Sequence, residues 1–371
     1  MQHSIVPPSS AAQWVYCAAA IQAQAAIPEI ETDDNKVGLA LHEVASGYFL
    51  HGLVAQVGDC ILGVTLDQEM LDRVQKYIDI VSKIYFESQL SGIEQRVNIA
   101  TIHPECFGTP DAWVFDGHTC TLTVPDYKDG FIKVDAIENW QVICYIAGIV
   151  EVHLPHVDKQ KLKIKVIIVQ PQDYQGSKTK EWNITYLEIE HLITRLRIAA
   201  HAALEPNPIA TAGKHCTYCR AKLNCTSFSL TCHSFAVAAL QNPEAPENDI
   251  SIELRFLQDA YKMIGLRLTV LEAEALQKIK SGEIVQYYKA GFGQGKLIWT
   301  DTSNLDNLAK MLGITVRKPE APLLTATQVK AELKKKKLPE DTLSSITEYR
   351  QGKIKLLPAE SKYAEEIFKE K

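Results

Sequence analysis

Residues 107–130 read FGTPDAWVFDGHTCTLTVPDYKDG, and the fold turns on how this stretch is parsed. Apolar and β-branched residues mark one strand over residues 112–115 and a second over residues 119–128. Between them, Asp116-Gly117 is a strong two-residue hairpin signal. Asp126 and Lys128 stand two apart on the second strand, so their side chains share a face. A two-residue turn sets Asp111 opposite Leu122, on the face of Asp126 but four residues short of it, about 13 Å away at 3.3 Å per residue. That is too far for a shared ion, so the reading requires a bend, a bulge near Pro125, or a later turn.

Two carboxylates beside a lysine are what metal-dependent phosphodiester hydrolysis needs. The phosphodiester repels a nucleophile and its alkoxide leaves poorly, and divalent cations answer both problems. Hard cations take oxygen ligands, which makes Asp111 and Asp126 candidate ligands for Mg2+ or Mn2+. Lys128 is a compact charge suited to the attacking water or to the phosphoryl oxygens. An Asp-x-Lys on an exposed strand is also the pattern of a solvated ion-pair face. Upstream, GLALHE at residues 38–43 begins an apolar helical pattern that carries His42 and Glu43. Residues 137–150 form another, on which Gln141 and Tyr145 share a face.

The run GLALHE, FGTPDAW, VPDYKDG and QVICY resembles the RecB-like branch of the PD-(D/E)xK nucleases, whose motifs are GxxxHE, GTxD, DxK and QxxxY in that order. The resemblance covers residues 9 to about 225. It implies an α/β fold with a restriction-endonuclease-like αβββαβ core, a helical N-terminal insertion and a mainly helical C-terminal extension. It also implies His42, Asp111 and Asp126 as metal ligands and Lys128 as the catalytic lysine, with Gln141 and Tyr145 beside the centre. Glu43 either helps hold metal or caps the rim. The opening SSAAQWVYC with the later IPE is similar to phage and prophage RecB-type exonucleases, with Ala18 in place of their usual proline.

Cys216, Cys219 and Cys225 stand as C-x2-C-x5-C after a breaker-rich stretch, and Cys17 lies far upstream. Thiolates suit zinc, with His215 or Cys232 as a local fourth ligand. Cys60, Cys106, Cys120 and Cys144 sit among apolar residues and read as buried thiols. The resemblance extends to AddB-like nucleases, in which one N-terminal cysteine joins three near the end of the domain. It implies a 4Fe-4S cluster on Cys17, Cys216, Cys219 and Cys225.

The 371 residues, 46% hydrophobic and 23% charged, suit a globular chain of two domains, drawn at residues 1–235 and 236–371. No run is long enough to span a membrane. The alanine-rich start lacks a basic signal-peptide region, and nine cysteines without a regular framework favour a reducing compartment; a cytoplasmic location is expected. The net charge of -6 does not advertise nucleic-acid binding, so a local groove would have to supply it. Residues 159–165 and 334–337 are candidate basic stretches. Helices are expected over residues 37–53, 68–90 and 187–204, and strands over residues 95–101 and 161–170.

After a linker at residues 241–249, Leu254, Leu257, Tyr261, Ile264, Leu268, Leu271 and Ala275 recur at heptad-like spacing on one long helix, suited to pack on the core or pair with a second copy. Residues 286–300 read as a hairpin through Gly291, Gly293 and Gly295, followed from residue 303 by short helices and turns. The function expected is a Mg2+- or Mn2+-dependent exonuclease acting at duplex DNA ends, working with a single-strand annealing recombination protein. An endonuclease of the same superfamily and a non-catalytic DNA-binding module are the competing readings.

Overall fold

The computed structural model describes residues 4–28, 33–86, 88, 90–173, 176–240, 250–300, 305–316, 324–350 and 354–358. By compactness the chain divides into units of residues 1–264 and 265–371. Each is taken by itself.

In the first unit, α1 (Asp33–His51) begins with two acidic residues at its positive end. It stops at Gly52, whose φ of 66° provides a left-handed cap while the Gly52 and Leu53 amides bond back to the Tyr48 and Gly47 carbonyls. α2 (Gln68–Tyr85) is capped by Asp67, which accepts the Met70 amide at 2.8 Å. A five-stranded sheet follows, formed by β1 (Leu90–Ile93), β2 (Ala112–Asp116), β3 (Thr121–Tyr127), β4 (Lys163–Val169) and β5 (Thr179–Thr185), in that spatial order. Neighbours run antiparallel except β3 and β4, which are parallel and joined by the crossover helix α3 (Trp140–His153). α4 (Tyr186–Leu204) starts at a capping box between Thr185 and Glu188.

The sheet is covered on both faces, so its strands alternate between two cores. Leu122 and Val124 of β3 and Ile164, Val166 and Ile168 of β4 join the cluster that holds Ile143, Ile146 and Ile149 of α3 and Ile189 and Leu196 of α4. Tyr127, Ile167 and Val169 point the other way, into the cluster of Leu41, Val44 and Phe49 from α1 and Val74, Tyr77 and Val81 from α2. By this parity Asp126 belongs to the α3 face and Tyr127 to the α1 face. The end of β3 is therefore a place where both helical layers can reach.

Two expectations about strands fail here. The first strand is Leu90–Ile93, not residues 95–101, because Glu94 takes a left-handed φ of 44° that breaks the run; only Val97–Asn98 of the expected stretch pairs, with Phe107–Gly108 outside the main sheet. The fifth strand, β5, was not anticipated, although Trp182 and Ile184 show the alternation of a half-buried strand and pack on the core.

α5 (Thr226–Leu240) precedes α6 (Ile250–Lys280), which crosses the division between the units. Ala260 and Met263 are its buried residues in the first unit, whereas Leu254, Leu257, Tyr261, Leu268 and Leu271 of the heptad-like stripe are exposed. In the second unit, β6 (Tyr288–Phe292) and β7 (Lys296–Trp299) do not form the expected hairpin. β6 pairs with β9 (Ile354–Pro358) and β7 with β8 (Thr347–Arg350), both antiparallel. The Tyr349 ring packs on Gly295 where a Cβ would stand, which holds the glycine run against β8. α7 (Leu305–Leu312) and α8 (Ala326–Lys335) enclose a small core of Ala309, Ile314, Val329 and Leu333. This part is mixed α/β, not mainly helical, since β8 and β9 lie where helices and turns were expected.

Candidate metal centre and cysteine site

The turn between β2 and β3 decides the site. Asp116 pairs with Thr121, Phe115 with Leu122 and Val114 with Thr123, so residues 117–120 form the loop and the two-residue turn at Asp116-Gly117 is not made. The reason lies in the Asp116 side chain. Its carboxylate accepts the His118 amide at 2.9 Å and the Thr119 hydroxyl at 2.6 Å, a side-chain-built turn, while Cys120 takes the positive φ of 52° expected of the glycine. Continuing this register for three more residues brings Asp111 opposite Asp126. The distance problem is thereby removed without a bulge at Pro125.

Asp111 Oδ2 accepts the Tyr127 amide at 2.6 Å, and Oδ1 lies 3.4 Å from His42 Nδ1, which reaches in from α1. Asp126 is 1% exposed. Its Oδ2 forms an ion pair with Lys128 Nζ at 2.9 Å, and its Oδ1 has no hydrogen-bond partner. Lys128 Nζ donates to Gln141 Oε1 at 3.0 Å, and Gln141 Nε2 donates to the Tyr145 hydroxyl at 3.1 Å. Gly108 completes the packing: a Cβ there would lie 2.7 Å from Tyr145 Cε1 and 2.9 Å from Pro8 Cγ.

The charges are mutually supporting. Burial raises the Asp111 carboxyl, but His42, Lys128 and the Tyr127 amide outweigh it and hold the group below its usual range. At Asp126 burial prevails over the pull of Lys128, and the pKa is raised. Burial would lower Lys128, yet the Asp126 and Asp111 carboxylates raise it, so the lysine stays charged. The same contest at His42, with Asp111 opposing burial, ends in a raised pKa.

Glu94 is a site residue that sequence reading missed. His42, Glu94 and Asp111 each offer a ligand atom within 4.8 Å of the others, and they are the metal-type grouping found among the described residues. Glu94 Oε1 lies 3.9 Å from His42 Nδ1, and the Glu94 amide donates to the Asp111 carbonyl at 3.1 Å. Burial, then the Asp111 charge, pushes its carboxyl up to about 7. Left-handed backbone at a non-glycine residue often marks a functional site; here it aims Glu94 inward from the end of β1. The carboxylate escaped notice because that strand was read as starting one residue after it. Glu43 is exposed on α1 and stands outside the grouping, since adjacent helical residues do not share a face.

These residues fit a divalent cation, because His42, Glu94 and Asp111 form an acidic and histidine donor set, and the buried Asp126 keeps a carboxylate oxygen with no hydrogen-bond partner. Glu94→Gln, which keeps the shape and removes a charge, is expected to weaken Mn2+ binding about tenfold, roughly 1.4 kcal/mol; isothermal titration of metal into both proteins measures it.

None of the nine cysteines is in a disulfide. Cys17, Cys216, Cys219 and Cys225 line one small enclosed cavity together with His215, while Cys232 does not line it. Three of the four sulfurs accept backbone amides at 3.4 Å: Cys17 from Thr211, Cys216 from Gly213 and Cys225 from Phe228. Burial pushes the Cys216 thiol up to about 11, with the other three cysteines adding to the rise. Among the described residues, no three of these sulfurs approach within 4.8 Å of one another. Of the thiols expected to be buried, Cys106 and Cys144 are, Cys120 is half-buried, and Cys60 is exposed.

The two sites are joined by aromatic residues. Tyr16, next to Cys17, stacks on His215 at 5.9 Å, and its hydroxyl accepts the Trp140 indole N–H at 3.2 Å. Trp140 opens α3 beside Gln141, and the Arg195 guanidinium lies over both rings, 5.0 Å from Tyr16 and 5.2 Å from Trp140.

Of the basic stretches, residues 159–165 run into β4, where Lys165 pairs with Glu181 at 2.9 Å. Among the described residues no helix is long and apolar enough to cross a membrane. No curated protein matches the chain. Its sequence fits, over residues 3–364, the family described as Protein of unknown function (DUF2800), and the chain belongs to that family.

Proposed function

We propose that this protein is a divalent-metal-dependent deoxyribonuclease of the RecB-like PD-(D/E)xK type, acting at DNA ends. The observation that carries the reading is the convergence of His42, Glu94, Asp111, Asp126 and Lys128 at the end of β3, from three strands and a helix. The order of helix, three antiparallel strands, crossover helix and parallel strand supports the αβββαβ core. A bound Mg2+ or Mn2+ supplies Lewis acidity at the scissile phosphate. His42, Glu94 and Asp111 would hold the cation, and the buried Asp126 would add a carboxylate near them. Lys128, steadied by Asp126 and Gln141, neutralises the phosphoryl oxygens as the phosphorus gains its fifth oxygen. Tyr145 fixes Gln141 and so the reach of the lysine.

The cysteine cavity supports a 4Fe-4S cluster over zinc. A tetrahedral zinc site with Zn–S near 2.3 Å brings its sulfurs to about 3.8 Å of one another, whereas a cluster spreads its thiolates around a larger body, and among the described residues no three of these sulfurs lie within 4.8 Å of one another. Amide donors to the sulfurs suit either metal centre and tune an iron–sulfur one.

Matched linear and covalently closed circular duplexes, incubated with Mn2+ and with EDTA, test the proposal. Metal-dependent loss of the linear DNA alone is expected. Cutting of the circle moves the assignment to endonuclease, and survival of both DNAs under retained binding leaves a non-catalytic module.

A further inference from the structure

A groove of about 990 Å³ lies between the N-terminal segment and the cysteine-motif loop, with Ser9, Ser10, Asn35, Tyr218, Arg220 and Lys222 in its lining. Its floor is fixed by side chains already in use. Gln24 is buried, accepts the Arg220 amide at 2.9 Å and donates to Gln13 at 2.7 Å, and Gln13 donates to the Tyr218 carbonyl at 3.4 Å. The backbone of residues 218–220 is thus tied down while its side chains are left for other work. Tyr218 is 58% exposed. Arg220 is exposed, with no carboxylate in ion-pair reach among the described residues, and Lys222 spends one donor on the Thr217 carbonyl at 2.6 Å.

The described charged groups of the groove lining are both cationic, in a chain whose net charge is -6. With 45 acidic residues and a net charge of -6, an unselected surface of this protein is acidic. Among the described residues of the lining there is no carboxylate, and Arg220 and Lys222 are its charged groups. The groove also adjoins the metal centre. Asn35 and His42 are seven residues apart on α1, two turns along one face and about 10.5 Å in rise. Pro8, between the lining residues Pro7 and Ser9, packs with Tyr145 against Gly108.

We propose that this groove binds a single-stranded run of the nucleic acid beside the metal centre, with phosphates on Arg220 and Lys222 and a base stacked on Tyr218. An unpaired cation and an exposed ring on a rigid floor are the elements of single-strand binding without sequence preference. The volume is at the upper end of that of a small-molecule site, room for a few nucleotides of one strand. The choice of nucleic acid as ligand rests on the nuclease reading; the groove itself does not.

The test is fluorescence anisotropy of labelled oligothymidylate and of a blunt hairpin duplex with the full chain in EDTA, where no cleavage intervenes. Wild type is expected to favour the single strand. Arg220→Ala and Tyr218→Ala should each weaken it about tenfold, within the range of one stacked base, and Arg220→Ala should lower the salt slope by about one. Arg220→Lys should restore most of the affinity. Because Arg220 is exposed, its variants should keep the wild-type circular dichroism. Variants that bind the oligonucleotide as wild type does, or a wild type that favours the blunt duplex, overturn the proposal. Failure of the nuclease reading shows elsewhere, as wild type that cuts no DNA with Mn2+ while these binding differences persist.

Discussion

Asp126→Ala is expected to abolish metal-dependent cleavage, with a fall on the order of 10³-fold or more. Positioned cations supply several kcal/mol of transition-state stabilisation, and each 1.36 kcal/mol is a factor of ten in rate. Removing the buried carboxylate takes away the oxygen that has no protein partner and also strips Lys128 of its counterion. The lysine is then a partly buried charge beside Asp111 alone, free to leave Gln141. Asp126→Asn separates the two losses, since it keeps the shape and changes only the charge. Single-turnover cleavage of linear DNA with Mn2+ measures both variants, and wild-type rates in either would displace the proposed centre. DNA binding should survive, because Asp126 is too buried to meet the backbone of a bound strand.

Cys219→Ser is expected to lose visible absorbance and bound iron together, and to lower the unfolding temperature by 10 °C or more. A centre shared by Cys17 and Cys216 closes a loop of about two hundred residues, for which loop-closure entropy is worth about 5 kcal/mol. For a unit of this size each kcal/mol is about 2–4 °C. The loss should spread to α3, because Tyr16 and His215 flank the cysteines and Tyr16 holds Trp140 at the start of that helix. Cys232→Ser is the control, since Cys232 lies outside the cavity and is expected to keep the metal content. Iron analysis with thermal unfolding decides it. Zinc in place of iron would correct the cofactor, and a Cys219→Ser protein with wild-type stability would deny the centre its structural role.

Much of the candidate site was legible in residue type and spacing. Asp126 and Lys128 share a face because β-strand side chains alternate, and Gln141 and Tyr145 share one because helical residues four apart do; both relations are local. Helices α1, α2 and α4 carry their own start and stop signals in Asp67, Gly52 and the Thr185–Glu188 box. The heptad-like stripe marked α6 correctly as one long helix, although periodicity does not say what covers it.

Other features required the assembled molecule. The Asp116-Gly117 signal is a local preference, and it yielded to hydrogen bonds made by the Asp116 side chain, which moved the turn and brought Asp111 level with Asp126. Glu94 became a ligand candidate only through its left-handed backbone beside Asp111. β6 and β7 found partners roughly fifty to seventy residues away, which no local pattern specifies. What the sequence determined by itself was therefore the set of groups and the elements that carry them, since propensity, capping and side-chain period act within a few residues. The tertiary structure alone decided register, the place of Glu94 beside Asp111, and the groove of Tyr218 and Arg220, because these depend on pairing and packing between segments distant in the chain.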